Sequence, residues 1–348
     1  MISQIKKKIK KIFRVAYWFL IYDLLRGDFK KPWHLVVTIL KHWFLKLPHS
    51  AIIETGNTCN FKCPTCPTPH HLIHARRPAE MMTLERYKKI IDNVKRYIHV
   101  VYLYNSNEPL LNPHLIEMIK YASENNLHTM ISTNGSLLNE EMADKLLSSG
   151  LGEIRFAFDG LTKESFEQFR IGGDFETVKK NIEYFCRLKK EKNVSKPILT
   201  LQFILNKLNQ DQVADIKQFA KINGIDRLYI KPFILSEYAY STEEINQLAD
   251  KFFIDKEVTD ENVVYKKDSH GLKPKRKIDK CPEADKIFSV LSDGRAVMCC
   301  FDLLGDYVYG KMDETDLYKL WNSKEAVFIR ERARKRFFPL CKICGNIE

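Results

Sequence analysis

The stretch "AIIETGNTCNFKCPTC", residues 51–66, changes character halfway along. Residues 51–55 are mostly apolar or β-branched and read as a short buried strand. Gly56 and Asn57 mark a turn, and three cysteines follow at 59, 63 and 66. A strand that opens directly onto a Cys-x3-Cys-x2-Cys loop delivers three thiols to its own C-terminal end. Three is an odd number for a disulfide framework. It is also one short of a closed zinc site, which would need a fourth ligand such as His70, His71 or His74. An iron–sulfur cluster held by three thiolates keeps one iron open to an outside ligand.

Working outward from this stretch, apolar runs recur at "HVVYLYN" (99–105), "HTMIST" (128–133), "EIRFAF" (153–158), "LTLQFIL" (199–205) and "RLYIK" (227–231). Between them lie segments such as "TLERYKKIIDNVKRYI" and "FETVKKNIEYFCRLKK", whose apolar residues recur at three and four. Six strands, each followed by a helix, predict an α/β fold with a parallel sheet, doubly wound or curved into a partial barrel. Either architecture places the chemistry at the C-terminal ends of the strands, where the cysteine loop falls.

At 348 residues and 45% hydrophobic content, the chain has ample material for a core. Of its nine cysteines, Cys186 lies in the amphipathic run "NIEYFCRL" and reads as a core residue. The other eight fall in two groups near the ends of the chain, as expected for metal ligation in a reducing cytosol.

The net charge of +12 is concentrated. Residues 1–48 hold eleven Lys and Arg against Asp23 and Asp28, hence +9, together with Trp18, Trp33 and Trp43. Cations among aromatic and aliphatic residues on short helices describe a basic amphipathic segment lying in a membrane interface. A transmembrane helix needs about 20 apolar residues, whereas Val15 to Leu25 is broken by Asp23 and flanked by Arg14 and Arg26. No small-residue cleavage site follows, as a signal peptide would require. A basic helical pair packed on the catalytic domain, or an RNA-binding arm, would share this composition.

The motifs at successive strand ends resemble those of the radical S-adenosylmethionine (SAM) superfamily. "YNSNEPLLNP" is similar to its Gly-Gly-Glu-Pro stretch, and "ISTNG", "FAFDG" and "FEQFRIGGDF" follow in order. The resemblance implies a [4Fe-4S] cluster on Cys59, Cys63 and Cys66, with SAM on the open iron. It also implies one-electron cleavage of SAM to a 5′-deoxyadenosyl radical, fed by flavodoxin or ferredoxin, and hydrogen abstraction from a substrate. Glu108 would hold the SAM amino group beside Asn107, which stands for the second glycine; Thr133 and Asn134 would approach the nucleoside, and Arg170 would pair with the SAM carboxylate or form a structural ion pair. Thr65 and Ala157 depart from the family, which often has an aromatic residue and a serine there.

The C-terminal segment reads "CPEADKIFSVLSDGRAVMCCFD" and ends near "FFPLCKICG". By count alone, zinc or iron would fit four thiolates. "GRAVMCCFD" and "YGKMDETDLYKLWNS" resemble the SPASM/Twitch extension of radical SAM enzymes, in its shortened single-cluster version. That implies an auxiliary [4Fe-4S] cluster on Cys281, Cys299, Cys341 and Cys344. Cys300 is the thiol left over: it would deprotonate substrate, donate hydrogen, replace Cys299 as ligand, or stand by buried. Asp302 would be a base or a turn residue.

The resulting expectation is a partial (β/α)6 TIM-like barrel over residues 49–235. An N-terminal basic helical segment (1–48) precedes it, and a connector (236–280) and a small SPASM/Twitch domain (281–348) follow. The expected activity is a two-electron oxidation or bond-forming modification, on a membrane-associated lipid or lipid-linked sugar or alternatively on a peptide. The expected location is the cytoplasm, peripheral on the inner face of the membrane. The reading from another class is a zinc- and nucleic-acid-binding module.

Overall fold

A computed structural model describes Leu24 and residues 29–68, 73–233, 242–254, 265–268, 271–274, 280–281, 283–342 and 344. The first 23 residues of the basic segment, and His70 and His71, lie outside the described residues.

Helix α1 (Lys30–Leu45) precedes the barrel strand β1 (Ser50–Ile53). Then come α2 (Leu84–Val94), β2 (Val100–Tyr102), α3 (Leu115–Glu124), β3 (His128–Thr133), α4 (Glu140–Ser148) and β4 (Glu153–Ala157). Helices α5 (Lys163–Phe169) and α6 (Phe175–Glu191), β5 (Ile198–Leu205), α7 (Val213–Ile222) and β6 (Arg227–Pro232) complete the repeat. Short polar side chains start these helices. Thr83, Asn139, Thr162 and Asp174 each accept a backbone N–H of the first turn, each worth about 1 kcal/mol.

Strands β1 to β6 pair in parallel and in sequence order. Each crossover therefore steps the same way, so the sheet curls into a partial barrel and does not double back. The helices cover its convex face: Tyr87, Ile90 and Ile91 of α2 and Val178, Ile182 and Phe185 of α6 are fully buried, and the Phe185 ring meets Phe156 of β4 edge-on.

Two features were not legible in the sequence. The stretch expected to be a connector contains α8 (Thr242–Phe252) and a two-stranded ribbon, β7 (Tyr265–Asp268) with β8 (Gly271–Pro274). Phe252 of α8 packs on Phe169 and Phe233 at the barrel rim. The C-terminal strands β9 (Ile287–Val290), β10 (Arg295–Val297) and β11 (Val308–Lys311) also join the barrel sheet, β9 pairing in parallel with β1. The free edge of β1 is thus occupied, and nine strands form one sheet.

Helices α9 (Leu317–Trp321), α10 (Lys324–Arg334) and α11 (Pro339–Lys342) follow. Trp321 is buried against Phe288 and Tyr309, and its indole N–H reaches back to the Lys46 carbonyl.

Candidate active site

The C-terminal ends of β1 to β6 surround a cavity of about 420 Å³. Cys59, Cys63, Cys66, Asn107, Glu108, Thr133, Asn134 and Arg170 all line it, so the motifs read from separate strands meet in one place. Thr65 and Ala157 line it too.

The cysteine loop is braced from several sides. Cys66 N–H closes a turn on the Cys63 carbonyl (3.1 Å), and Glu108 N–H donates to the Thr58 carbonyl (3.0 Å). The "RIGGDF" run supports the loop from behind. Lys62 N–H donates to the Ile171 carbonyl at 2.7 Å, and a Cβ on Gly173 would strike the Phe61 ring at 2.7 Å. N–H groups also aim at the sulfurs: Phe61 N–H at Cys59 Sγ (3.4 Å), Asn134 Nδ2 at the same sulfur (3.9 Å), and Arg170 Nη1 at Cys63 Sγ (3.5 Å). Donors directed at sulfur suit thiolates that carry negative charge into a buried site. Burial pushes the Cys59 thiol up to about 12, so deprotonation there calls for a metal's charge. This donor set fits an iron–sulfur cluster.

Glu108 is buried and fully engaged. Its Oε1 accepts from Thr133 Oγ1 (2.7 Å) and Leu110 N–H (3.1 Å), and its Oε2 from Asn134 N–H (2.7 Å). It therefore caps the short 3-10 turn Pro109–Leu111 while facing the cavity. Burial raises its pKa to about 7 against the pull of these donors. Asn107 ties the same loop to β1 through Nδ2 to Thr55 Oγ1 (2.9 Å).

Arg170 lines the cavity and is held by an ion pair. Its Nε donates to Asp159 Oδ2 at 2.6 Å and a second nitrogen grips the same carboxylate, while Nη1 turns to Cys63. Asp159, wholly buried, also takes Ile204 N–H at 2.5 Å. The guanidinium is committed to protein groups. Asp159 was visible only as a letter in "FAFDG". Gln202 and Lys231, also on the cavity wall, could have been found as polar residues interrupting apolar strands near their C-terminal ends.

A second cavity, of about 80 Å³, is lined by Cys281, Cys299, Cys300, Cys341 and Cys344, so the four expected ligands and one further thiol gather at the C-terminal domain. Cys281 N–H is fixed by the Arg334 carbonyl (2.9 Å), and Arg336 Nη2 holds the Cys344 carbonyl (3.0 Å). Cys300 and Phe301 line both cavities and form the wall between them.

Asp302 lines neither cavity: its carboxylate accepts Asp306 N–H (2.8 Å) and Tyr307 N–H (2.9 Å) and organises a turn. His74 likewise lines neither. Among the described residues, no three His, Cys, Asp or Glu side chains are gathered as ligands of a single metal ion. A cluster takes one sulfur per iron, so its donors line a cavity.

Comparison with known proteins agrees with this geometry. The model of the radical SAM superfamily matches residues 53–220, and that of the SPASM iron-sulfur cluster-binding domain matches residues 281–345. The chain belongs to the radical SAM superfamily and carries a C-terminal SPASM domain. It is accordingly an enzyme that uses SAM and [4Fe-4S] clusters.

The "tungsten-containing aldehyde ferredoxin oxidoreductase cofactor-modifying protein" of Pyrococcus furiosus is 22% identical over 319 residues, covering 84% of this chain and 86% of that one. The PqqA peptide cyclase of Granulibacter bethesdensis is 28% identical over 183 residues, covering 53% of this chain and 46% of that protein, so the match spans about half of the cyclase. Streptococcus suis SuiB, solved bound to precursor peptide SuiA, shares the fold with a TM-score of 0.60 and 15% identity over 95% of this chain and 84% of that one.

Proposed function

We propose that this protein is a peptide-modifying radical SAM enzyme that performs a two-electron oxidation or bond-forming reaction. The observation that carries the reading is the shared wall. Cys59, Cys63 and Cys66 line one cavity and Cys281, Cys299, Cys341 and Cys344 the other, and the two cavities meet at Cys300 and Phe301, so a substrate in the larger cavity lies close to both thiol groups. When bound, the cofactors supply hydrogen abstraction on one side and an acceptor for the second electron on the other.

The chain's residues bind and orient. Cys59, Cys63 and Cys66 hold one cluster, and Cys281, Cys299, Cys341 and Cys344 hold the other. Glu108, its carboxylate fixed by Thr133 and Asn134, would accept from the amino group of SAM. Cys300, on the wall of both cavities, handles a substrate proton or hydrogen in this reading, and the hydrogen bonds of Asp302 support a turn role. A one-electron reductant such as flavodoxin or ferredoxin serves the larger site. The division into residues 1–48, 49–235, 236–280 and 281–348 is retained, with the middle stretch structured in part.

The printed names of the relatives favour a peptide over a lipid or lipid-linked sugar, since they include a peptide cyclase and a protein bound to a precursor peptide. The basic segment belongs at a membrane surface in this reading, although among the described residues no helix is long and apolar enough to cross a membrane.

The test is anaerobic turnover with SAM, a reductant and short peptides encoded beside the gene. The expected product has lost two hydrogen atoms, and formation requires all three of Cys59, Cys63 and Cys66. SAM cleavage that leaves every peptide unchanged, while a lipid or sugar is oxidised, would overturn the peptide reading.

A further inference from the structure

Helix α1 buries Pro32, Leu35 and Thr38 against the barrel and is bolted there by polar contacts. His34 Nε2 meets the Lys95 carbonyl (2.7 Å), Lys41 Nζ donates to the Arg96 carbonyl (2.7 Å), and Lys31 Nζ donates to Ser123 Oγ (3.2 Å). These partners precede β2 and β3, so α1 lies across the N-terminal ends of the strands.

Its other face is also apolar. Phe29, Trp33, Leu40, Trp43 and Phe44 recur along one side, with Trp33 at 70%, Trp43 at 79% and Phe44 at 81% exposure. Four such rings present on the order of 600 Å² to solvent, at the upper end of the largest apolar patch a monomer usually leaves exposed. The segment that carries them holds eleven cations and two carboxylates, and none of those carboxylates lies between Phe29 and Pro48.

We infer that this stripe docks on an anionic bilayer surface with the mouth of the active site turned away from the membrane, so that substrate arrives from the aqueous phase. The rings of α1 suit the headgroup boundary, and the +9 charge of residues 1–48 favours anionic lipid, although Lys31 and Lys41 themselves turn to the barrel. A second copy of the chain is a poorer occupant, because a two-fold contact through α1 would set one +9 segment against another.

The orientation follows from the strands. Thr133, at the cavity, and His128, at the base, are the two ends of β3. Six residues of strand separate these faces by about 17 Å. Docking at the base tethers the enzyme and leaves the mouth open to water. This deepens the peptide reading and rests on it for the nature of the substrate, since a bilayer-embedded lipid would have to reach the far face.

The experiment uses the full chain, reconstituted anaerobically, in flotation with vesicles of phosphatidylcholine alone or mixed seven to three with phosphatidylglycerol. The expected result is binding to the mixed vesicles, reduced at least tenfold in the Trp33→Ser, Trp43→Ser, Phe44→Ser variant, with SAM cleavage by a water-soluble reductant equally fast on and off vesicles. Absence of flotation overturns the inference. So does concentration-dependent dimerisation abolished by the same variant, which would assign the stripe to a second copy. Flotation that appears only after deletion of residues 1–28 would assign the stripe to those residues and overturn it as well. Binding that stops SAM cleavage would reverse the orientation. Failure to modify any peptide, with flotation and SAM cleavage intact, would fault the peptide reading alone.

Discussion

Arg170 and Asp159 form a buried ion pair directly behind Cys63, with the guanidinium divided between the carboxylate and the sulfur. Removing one charge strands the other in a dry site. Asp159→Asn is expected to cost roughly 3–5 kcal/mol of stability and to lower iron loading at Cys59, Cys63 and Cys66. Denaturant titration and iron content of the purified variant check both. Full iron loading with unchanged stability would mean that the pair does not support the loop.

A second buried pair joins the barrel to the C-terminal domain. Arg77 bonds Glu54, at the end of β1, and donates to the Leu303 carbonyl (2.7 Å) and Ser292 Oγ (3.0 Å). Glu54 in turn accepts Ser106 Oγ (2.7 Å) and Ser292 N–H (2.9 Å). Glu54→Gln should destabilise by roughly 3–5 kcal/mol, and pairing Glu54→Leu with Arg77→Met should recover part of that loss. Thermal unfolding of the single and double variants decides the point; a double variant worse than the sum would contradict it.

Glu108 gives SAM binding a pH dependence. Its carboxyl, raised to about 7 by burial, is neutral below that pH and anionic above it. The amino group of SAM donates to the anion. Affinity should be flat above pH 7 and fall about tenfold per unit below it. Calorimetry on the anaerobic, cluster-loaded protein measures this, and Glu108→Gln should bind weakly with no slope between pH 6 and 8.

Cys299 and Cys300 should separate cleanly. Cys299→Ala is expected to reduce iron from about eight to about four per chain, because a cluster is lost. Cys300→Ala should retain about eight and lose substrate turnover while still cleaving SAM. The opposite pattern of iron contents would exchange their roles.

Acid should loosen the base of the barrel. His49 and His99, 5.7 Å apart, have pKa values lowered by burial to about 4 and about 3. Unfolded histidine titrates at 6.5, so the stability of these neutral rings is complete above that pH and falls as pH drops toward 4. At pH 5 the loss is about 2 kcal/mol per ring. His34 and His128, also lowered by burial, add to this loss and the raised carboxyl of Glu108 opposes it, so the check is a difference: between pH 7 and 5 the His49→Phe variant should lose about 2 kcal/mol less stability than the parent, measured by denaturant titration.

Much of the site could be read in the letters. The cysteine spacing, "NEP" and "ISTNG" each fall after an apolar run, and strand ends are where a parallel sheet collects its functional groups; the terminal cysteines were legible from their Cys-x2-Cys spacing alone. Asp159 could not be read, because a carboxylate after a strand is ordinarily a turn residue, and only burial against Arg170 distinguishes it. The ion pair of Arg170 and the turn held by Asp302 needed the structure for the same reason: their partners come from distant parts of the chain or from backbone amides.

The sequence by itself determined the alternation of strand and helix, the two thiol groups and the basic aromatic start, because period, spacing and charge are local properties. Strand order, the joining of β9 to β1, the wall at Cys300 and the seat of α1 at the end opposite the cavity were decided by tertiary structure. Those depend on which apolar faces and backbone edges pair across long separations, and no short window of sequence contains both partners.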